Sequence, residues 1–287
     1  MWKHQLRSRR GHRLRALVTG VLLAAGVVHA APAARASGST PERIVSINLC
    51  TDQIVLALDL GERLVAVSSL ATDRTLSVHW RAAESVEAVP AALESILLRQ
   101  PDLVVAGGFG HGRLVAQLER LGIAVLRVPE PASLADVPAA YLAMGRALGA
   151  ETRAQALAAE FDAVLGAPAA PSGTDALLLA TGLLVHGEGM LGGDVLRHAG
   201  LANAAGAPAF GGQAYLSLER VVASPPDLVL VARGDASAPS RSQHLFSHPA
   251  LVHGTRIKPV PPSALICGTV ETARLAASLA APEGQAR

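Results

Sequence analysis

Short, evenly apolar runs alternate with longer amphipathic stretches along most of this chain. Arg43–Ile47, Leu64–Val67, Leu103–Ala106, Ala124–Val128, Asp175–Ala180, Leu228–Val231 and Ile257–Val260 read as strands, and Leu103–Ala106 and Leu228–Val231 are apolar at every position rather than at alternate ones, the pattern of parallel strands covered on both faces. Between them, spacing of three and four predicts helices over Gln53–Leu60, Arg113–Leu121, Leu134–Leu148, Glu151–Leu165, Asp194–Ala199 and Thr269–Leu279, with a further helix near Gln243–Phe246. Thr51 or Asp52 is placed to cap the first helix, and Gly61 to stop it. Thr72 to Val89 is polar and irregular. Strands alternating with helices in both halves predict α/β architecture with mostly parallel sheets.

One pattern occurs twice. Leu93-Glu94-Ser95-Ile96-Leu97-Leu98-Arg99-Gln100-Pro101-Asp102-Leu103-Val104 aligns without a gap on Leu218-Glu219-Arg220-Val221-Val222-Ala223-Ser224-Pro225-Pro226-Asp227-Leu228-Val229. Leu, Glu, Pro, Asp, Leu and Val recur at the same offsets. Each copy reads as a short helix, a Pro-Asp turn and a strand, because proline ends the helix and restricts the residue before it. Ser217 is placed to cap the second copy. A unit repeated once predicts two similar lobes, each with one glutamate at the same point. A glutamate in a first turn also complements the helix dipole, by ~0.3–1 kcal/mol; its recurrence at matched positions points to a shared task. Between the copies, Glu151–Leu165 carries an apolar stripe of Ala154, Leu157, Ala158, Phe161 and Leu165, and Ala167–Gly173 separates it from the second half. At ~1.5 Å per residue this helix spans roughly 22 Å and reads as the join between lobes.

Composition alters the picture at the N-terminus. Lys3, Arg7, Arg9, Arg10, Arg13 and Arg15 precede a 13-residue apolar run, Ala16 to Val28, and small residues at Val28-His29-Ala30 and Ala34-Arg35-Ala36 offer cleavage positions. Residues 1–36 therefore read as a secretory signal peptide of the general route. They hold seven of the 25 Lys and Arg and none of the 23 Asp and Glu, so the remainder carries 18 basic against 23 acidic side chains, a net of −5 with His neutral. That balance argues against a nucleic-acid partner. With no cysteine near either cleavage position, the expectation is a soluble periplasmic protein without a lipid anchor. The two cysteines, Cys50 and Cys267, would lie in an oxidising compartment where a disulfide is permitted. Their spacing leaves both a disulfide and two buried thiols open.

The order of these features resembles the periplasmic binding proteins that deliver cobalamin and ferric-siderophore or haem complexes to ABC importers. The resemblance rests on Arg43-Ile44-Val45-Ser46 leading into Asn48-Leu49-Cys50-Thr51-Asp52, on the two repeat copies, and on Val260-Pro261-Pro262 with Cys267-Gly268. It implies two Rossmann-like α/β lobes, 37–150 and 168–287, joined by a single backbone helix within 151–167, with a ligand cleft between them. It implies no catalysis and no resident cofactor. The cargo would be an iron complex (siderophore or haem) or cobalamin, and the partner an inner-membrane ABC permease dimer, for which a monomer is the simplest match. By position, Glu94 and Glu219 would dock on the permease.

Cargo contacts are expected from loops at strand ends, where open α/β sheets bind ligands. The candidates are Asn48, Cys50, Thr51, Asp52, Trp80, Phe109, His111 and Arg113 in the first lobe, and His186, Phe210, Tyr215, Arg233 and Cys267 in the second. Trp80 and Tyr215 suit a flat macrocycle or catecholate. Arg113 and Arg233 suit an anionic siderophore, and Tyr215 or His111 a haem iron. His244, His248 and His253 have suggestive spacing, but Pro249 interrupts any helix through them, so no metal site is expected. The competing class is a periplasmic tetrapyrrole-handling enzyme of chelatase type, which would need Glu94 and Glu219 to face each other as acid and base. A structural or adhesive module would lack an enclosed cleft.

Overall fold

The structure, a computed structural model, describes residues 39–180, 184–206, 224–233 and 255–281, together with Tyr215, Glu219, Val221 and Pro249. The first sheet is parallel throughout. Its central strand β1 (Ile44–Ser46) lies between β2 (Leu64–Ser68) and β4 (Leu103–Gly107), with β3 (Ala88–Val89) and β5 (Ala124–Val128) at the edges. Ile44 stands opposite both Leu64 and Leu103, and all three residues of β1 are buried. Successive side chains point to opposite faces. Val45, Ala66 and Val104 therefore face Ile96, Leu114 and Leu118, while Ile44, Val67 and Val105 face Val55, Tyr141 and Met144.

The helices of this lobe are α1 (Leu49–Ala57), α2 (Trp80–Ala83), α3 (Leu93–Leu97), α4 (Gly112–Arg120) and α5 (Asp136–Leu148). The first begins four residues earlier than the apolar pattern indicates. The cause is Asn48, whose Oδ1 accepts from the Cys50 and Thr51 N–H groups at 2.8 and 3.4 Å and so caps the helix in place of Thr51 or Asp52. Segment 72–89 holds α2 and β3, which at four and two residues are too short to show a period.

The connecting helix α6 (Glu151–Leu165) has the expected limits and buries Ala154, Leu157, Ala158 and Phe161. It crosses α5 closely, because a Cβ on Gly145 would collide with the Ala154 methyl group. Gly149, with φ 63°, ends α5 in the left-handed conformation that glycine tolerates.

The second sheet is built around β6 (Asp175–Ala180), paired in parallel with β9 (Leu228–Ala232), which pairs in parallel with β10 (Arg256–Val260). The other edge of β6 takes antiparallel β7 (Leu184–Val185) and parallel β8 (Ala202–Asn203). Helices α7 (Leu191–His198), α8 (Ser263–Ile266) and α9 (Val270–Ala280) complete the described part of this lobe. The last is closed by a Thr269–Thr272 capping box. One apolar cluster runs from Ile54 and Met144 through Phe161 to Leu178, Leu196 and Leu275, so the two lobes share a core across α6.

The repeated Pro-Asp turn has the same structural use in both lobes. Asp102 accepts from the N–H groups of Glu42 and Arg43 at 2.8 and 3.0 Å, where the chain enters β1. Asp227 accepts from the Asp175 N–H at 3.0 Å, where the chain enters β6. Each aspartate thus ties the turn before a neighbouring strand to the start of its lobe's central strand. The expected helix near 243–246 lies outside the described residues.

Candidate functional site

In the first sheet the strand order reverses at β1 and β4, and the crevice beyond the C-terminal ends of such strands is where open α/β sheets hold ligands. Asn48 stands at the end of β1, Gly107-Gly108-Phe109 at the end of β4, and Pro129-Glu130 at the end of β5. The glycines leave room for the Asn48 and Glu130 side chains in their present positions. A Cβ on Gly107 would lie 2.7 Å from Asn48 Nδ2 and Glu130 Oε1, and one on Gly108 would lie 2.8 Å from Glu130 Oε2. The Phe109 N–H donates to Glu130 Oε1 at 3.4 Å, and the second carboxylate oxygen is buried with no partner among the described residues. Glu130 escaped the sequence reading. Its signal was position: it ends a strand as Asn48 and Gly107 do, within Pro129-Glu130-Pro131.

Two aromatic rings are largely exposed. Phe109 is 79% exposed, and so is Tyr215, which forms a backbone bridge to Leu184 at the far end of β6. Trp80 is differently placed. Arg74 and Arg81 already stack on its ring, at 4.4 and 4.2 Å from the centroid. Arg113 and His111 are exposed at the start of α4, and Arg233 is exposed at the end of β9. Phe210 lies outside the described residues, as do His244, His248 and His253. Among the described residues no group of three or more His, Cys, Asp and Glu side chains is arranged to hold a metal ion.

Besides Cys267, three candidates prove to be interior groups. Thr51 is buried and its hydroxyl donates to the Asn48 carbonyl at 2.9 Å. Asp52 is fully buried, with the Ser68 hydroxyl and N–H donating to its two oxygens, so it presents no surface to a ligand. Burial outweighs those hydrogen bonds and pushes its carboxyl up to about 6. His186 is buried against Gly192, with Nδ1 unpartnered among the described residues, and burial depresses its imidazole to about 4. It is neutral at ordinary pH.

Cys50 and Cys267 form a disulfide, with Cα atoms 5.0 Å apart. It joins the first turn of α1 in one lobe to the residue that ends α8 in the other. Beside it, Gly268 sits so close to Val137 and Pro131 that a Cβ could not be added, and the Leu134 N–H donates to Asp194 of α7 at 2.7 Å. A groove of about 710 Å³ opens next to this contact, between Ala132-Ser133 of the first lobe and Glu188, Met190, Asp194 and Asn203 of the second.

Glu94 is exposed in the first turn of α3 and lines a separate groove of about 480 Å³ with His111, Arg113 and Gln117. Among the described residues that groove is lined by first-lobe residues, and no described second-lobe carboxylate shares it. Glu219 is exposed at the matched point of the second repeat copy.

A family profile described as periplasmic binding protein matches residues 44–255. An uncharacterized ABC transporter substrate-binding lipoprotein of Bacillus subtilis, YvrC, is 31% identical over 120 residues, covering 41% of this chain and 37% of that protein. The chain thus matches well under half the length of this curated relative. Among solved structures, the apo form of the haem-binding protein RhuT from Roseiflexus sp. RS-1 is 25% identical with a TM-score of 0.67, covering 84% of this chain and 97% of that one. A periplasmic haem-binding protein from Pseudomonas aeruginosa is 24% identical (TM-score 0.65; 83% and 92% covered). The vitamin B12-binding protein BtuF of Vibrio cholerae is 19% identical (TM-score 0.63; 84% and 95% covered). At these lower identities the likeness establishes the fold.

Proposed function

The chain belongs to the periplasmic binding protein family, and from that premise we propose that it captures an iron complex (siderophore or haem) or cobalamin between its lobes and delivers it to an ABC permease dimer. The observation that carries the cargo class is the pair of exposed rings, Phe109 on one lobe and Tyr215 on the other, both at strand ends. The large described aromatics Tyr141 and Phe161 are by contrast fully buried. An aromatic ring left in water gains roughly 2 kcal/mol when a flat apolar surface covers it, before the costs of association. Exposed aromatic rings suit a conjugated macrocycle or catecholate, and Tyr215 is the candidate axial ligand for haem. The haem- and B12-binding relatives bind solutes of that class.

Glu94 and Glu219 are the docking carboxylates in this reading. Exposed charges carried at matched points of two lobes set orientation and association rate on a two-fold partner. Export through the signal-like segment 1–36 would place the protein in the periplasm. Both cysteines are spent on each other, which favours a free form over a lipoprotein of the Bacillus subtilis kind.

Titration of the purified protein with haemin, cyanocobalamin and a panel of ferric siderophores, followed by absorbance and calorimetry, tests the cargo. Saturable micromolar or tighter binding to one of them is expected, weakened roughly tenfold by Phe109→Ala and by Tyr215→Ala, as loss of a hot-spot ring would do. No binding to any of them, or binding indifferent to both substitutions, removes the cargo assignment.

A further inference from the structure

Resting on the carrier reading, we propose that Leu70 and Ile266 join Phe109 in an apolar row that selects a tetrapyrrole macrocycle over a ferric siderophore.

The exposed large hydrophobics among the described residues fall into two groups. Leu97, Leu98 and Leu121 close α3 and α4, at the edge of the first sheet where β4 and β5 begin. Leu70, Phe109, Tyr215 and Ile266 lie instead in segments that follow the ends of strands. Leu70 is 49% exposed and Ile266 42%. Among the described residues neither of them, nor Phe109, belongs to an apolar cluster of either lobe. Single exposed leucines are ordinary on a protein surface, but apolar side chains at adjacent strand ends make a patch, and a patch implies a partner.

Strand order aligns these residues. β2, β1 and β4 are successive strands of the first sheet. Leu70 stands two residues past β2, and Phe109 two residues past β4. Ile266 of the second lobe comes in at the end of β1, where its carbonyl oxygen lies 3.5 Å from Sγ of Cys50. Neighbouring strands are ~4.8 Å apart, so the row covers roughly 10 Å, close to the width of a tetrapyrrole ring. Both lobes contribute to it.

The chemistry beside the row favours a neutral, apolar face. Glu130 brings a carboxylate, which accepts from the Phe109 N–H at 3.4 Å. Arg113 and His111, the basic groups expected to meet an anionic cargo, line the groove of Glu94 instead. A tetrapyrrole offers a broad apolar face and keeps its acidic or amide substituents on its rim. A ferric siderophore carries oxygen ligands all round the metal and, as a catecholate, negative charge. Against this row its oxygens would lose water without gaining donors, and its charge would meet a carboxylate.

Calorimetric titration with haemin, cyanocobalamin, a ferric tris-catecholate and a ferric trihydroxamate tests the selection. It compares the native protein with Leu70→Ser, Ile266→Ser and, as a control at the opposite strand ends, Leu97→Ser/Leu98→Ser. At least one tetrapyrrole is expected to bind roughly tenfold or more tightly than either siderophore. Leu70→Ser and Ile266→Ser should each weaken that binding roughly fivefold, while the control stays within about twofold. The ranking of haemin against cyanocobalamin identifies the macrocycle. A siderophore that binds as tightly as both tetrapyrroles overturns the selection and leaves the carrier reading standing. So does tetrapyrrole binding that neither substitution weakens, or that the control weakens as much. Binding of no chelate at all removes the carrier reading and the selection with it. Melting midpoints confirm that each variant is folded, and Leu70→Ala or Ile266→Ala replaces a serine variant that is not.

Discussion

Asp52 and His186 are ionisable groups placed where charge is unfavourable, and they bend stability with pH in opposite directions. The Asp52 carboxyl is pushed up to about 6 from 3.8 by burial, so between those values the folded state holds its proton more tightly than the unfolded chain. Stability from this group is present at low pH and is lost as pH rises toward 6, by on the order of 3 kcal/mol for a shift of about two units. His186 runs the other way. Its folded value of about 4 lies below 6.5, so its contribution is present above 6.5 and is lost as pH falls toward 4. The two slopes oppose each other between pH 4 and 6. Asp52→Asn keeps an acceptor for the Ser68 N–H and removes the buried charge. The variant should match or exceed the native protein in urea midpoint at pH 7, and should lose stability more steeply than the native protein between pH 6 and 4, because the opposing contribution of Asp52 is gone while His186 and His79, both depressed by burial, still lose theirs. A parallel acid limb in the two proteins would show that Asp52 is not a protonated interior group.

At the scale of elements, one crossing holds the lobes to their connector. The α5–α6 contact depends on Gly145 lying against Ala154, with no room for a methyl group between them. Gly145→Ala would normally favour a helix by about 1 kcal/mol. Here overpacking should dominate and destabilise by ~1–3 kcal/mol. Adding Ala154→Gly should restore most of that loss, because the second change returns the space the first one fills; denaturant melts of the two variants check it. The Pro-Asp turns are the complementary device, each using an aspartate to pin the start of its lobe's central strand. They explain why Pro and Asp recur at matched offsets, independently of the glutamates.

For the whole molecule, the fold presents matched carboxylates on two lobes that α6 and a disulfide hold in fixed relation. A bond closing a loop of 217 residues confines the unfolded chain by about 5 kcal/mol in the chain-entropy account. Rigid spacing of Glu94 and Glu219 is what a symmetric membrane partner would read. Reversing both charges, Glu94→Arg/Glu219→Arg, should leave cargo affinity in solution within about twofold, since rim charges act mainly on association. Uptake of the same cargo by whole cells should fall at least tenfold. Uptake that survives the double reversal would place the docking surface elsewhere.

The longer strands and helices, the two-lobed plan and the limits of α6 were legible in the chain, because each depends on the period of apolar side chains over several neighbouring residues, whereas β3, β7, β8, α2 and α8 are too short to show one. The repeat was legible for the same reason. What the tertiary structure alone decided concerns groups brought together from distant segments. Asn48 rather than Thr51 or Asp52 caps α1, since the chain leaves β1 in an extended conformation at Asn48 and turns helical at Leu49. Asp52 is enclosed by Ser68 from the next strand, and Trp80 is already stacked under two arginines. Glu130 joins the candidate site because three parallel strands end side by side. Cys50 finds Cys267 only because the first turn of α1 and the end of α8 meet at one boundary between the lobes, a contact between parts of the chain 217 residues apart that no local pattern encodes.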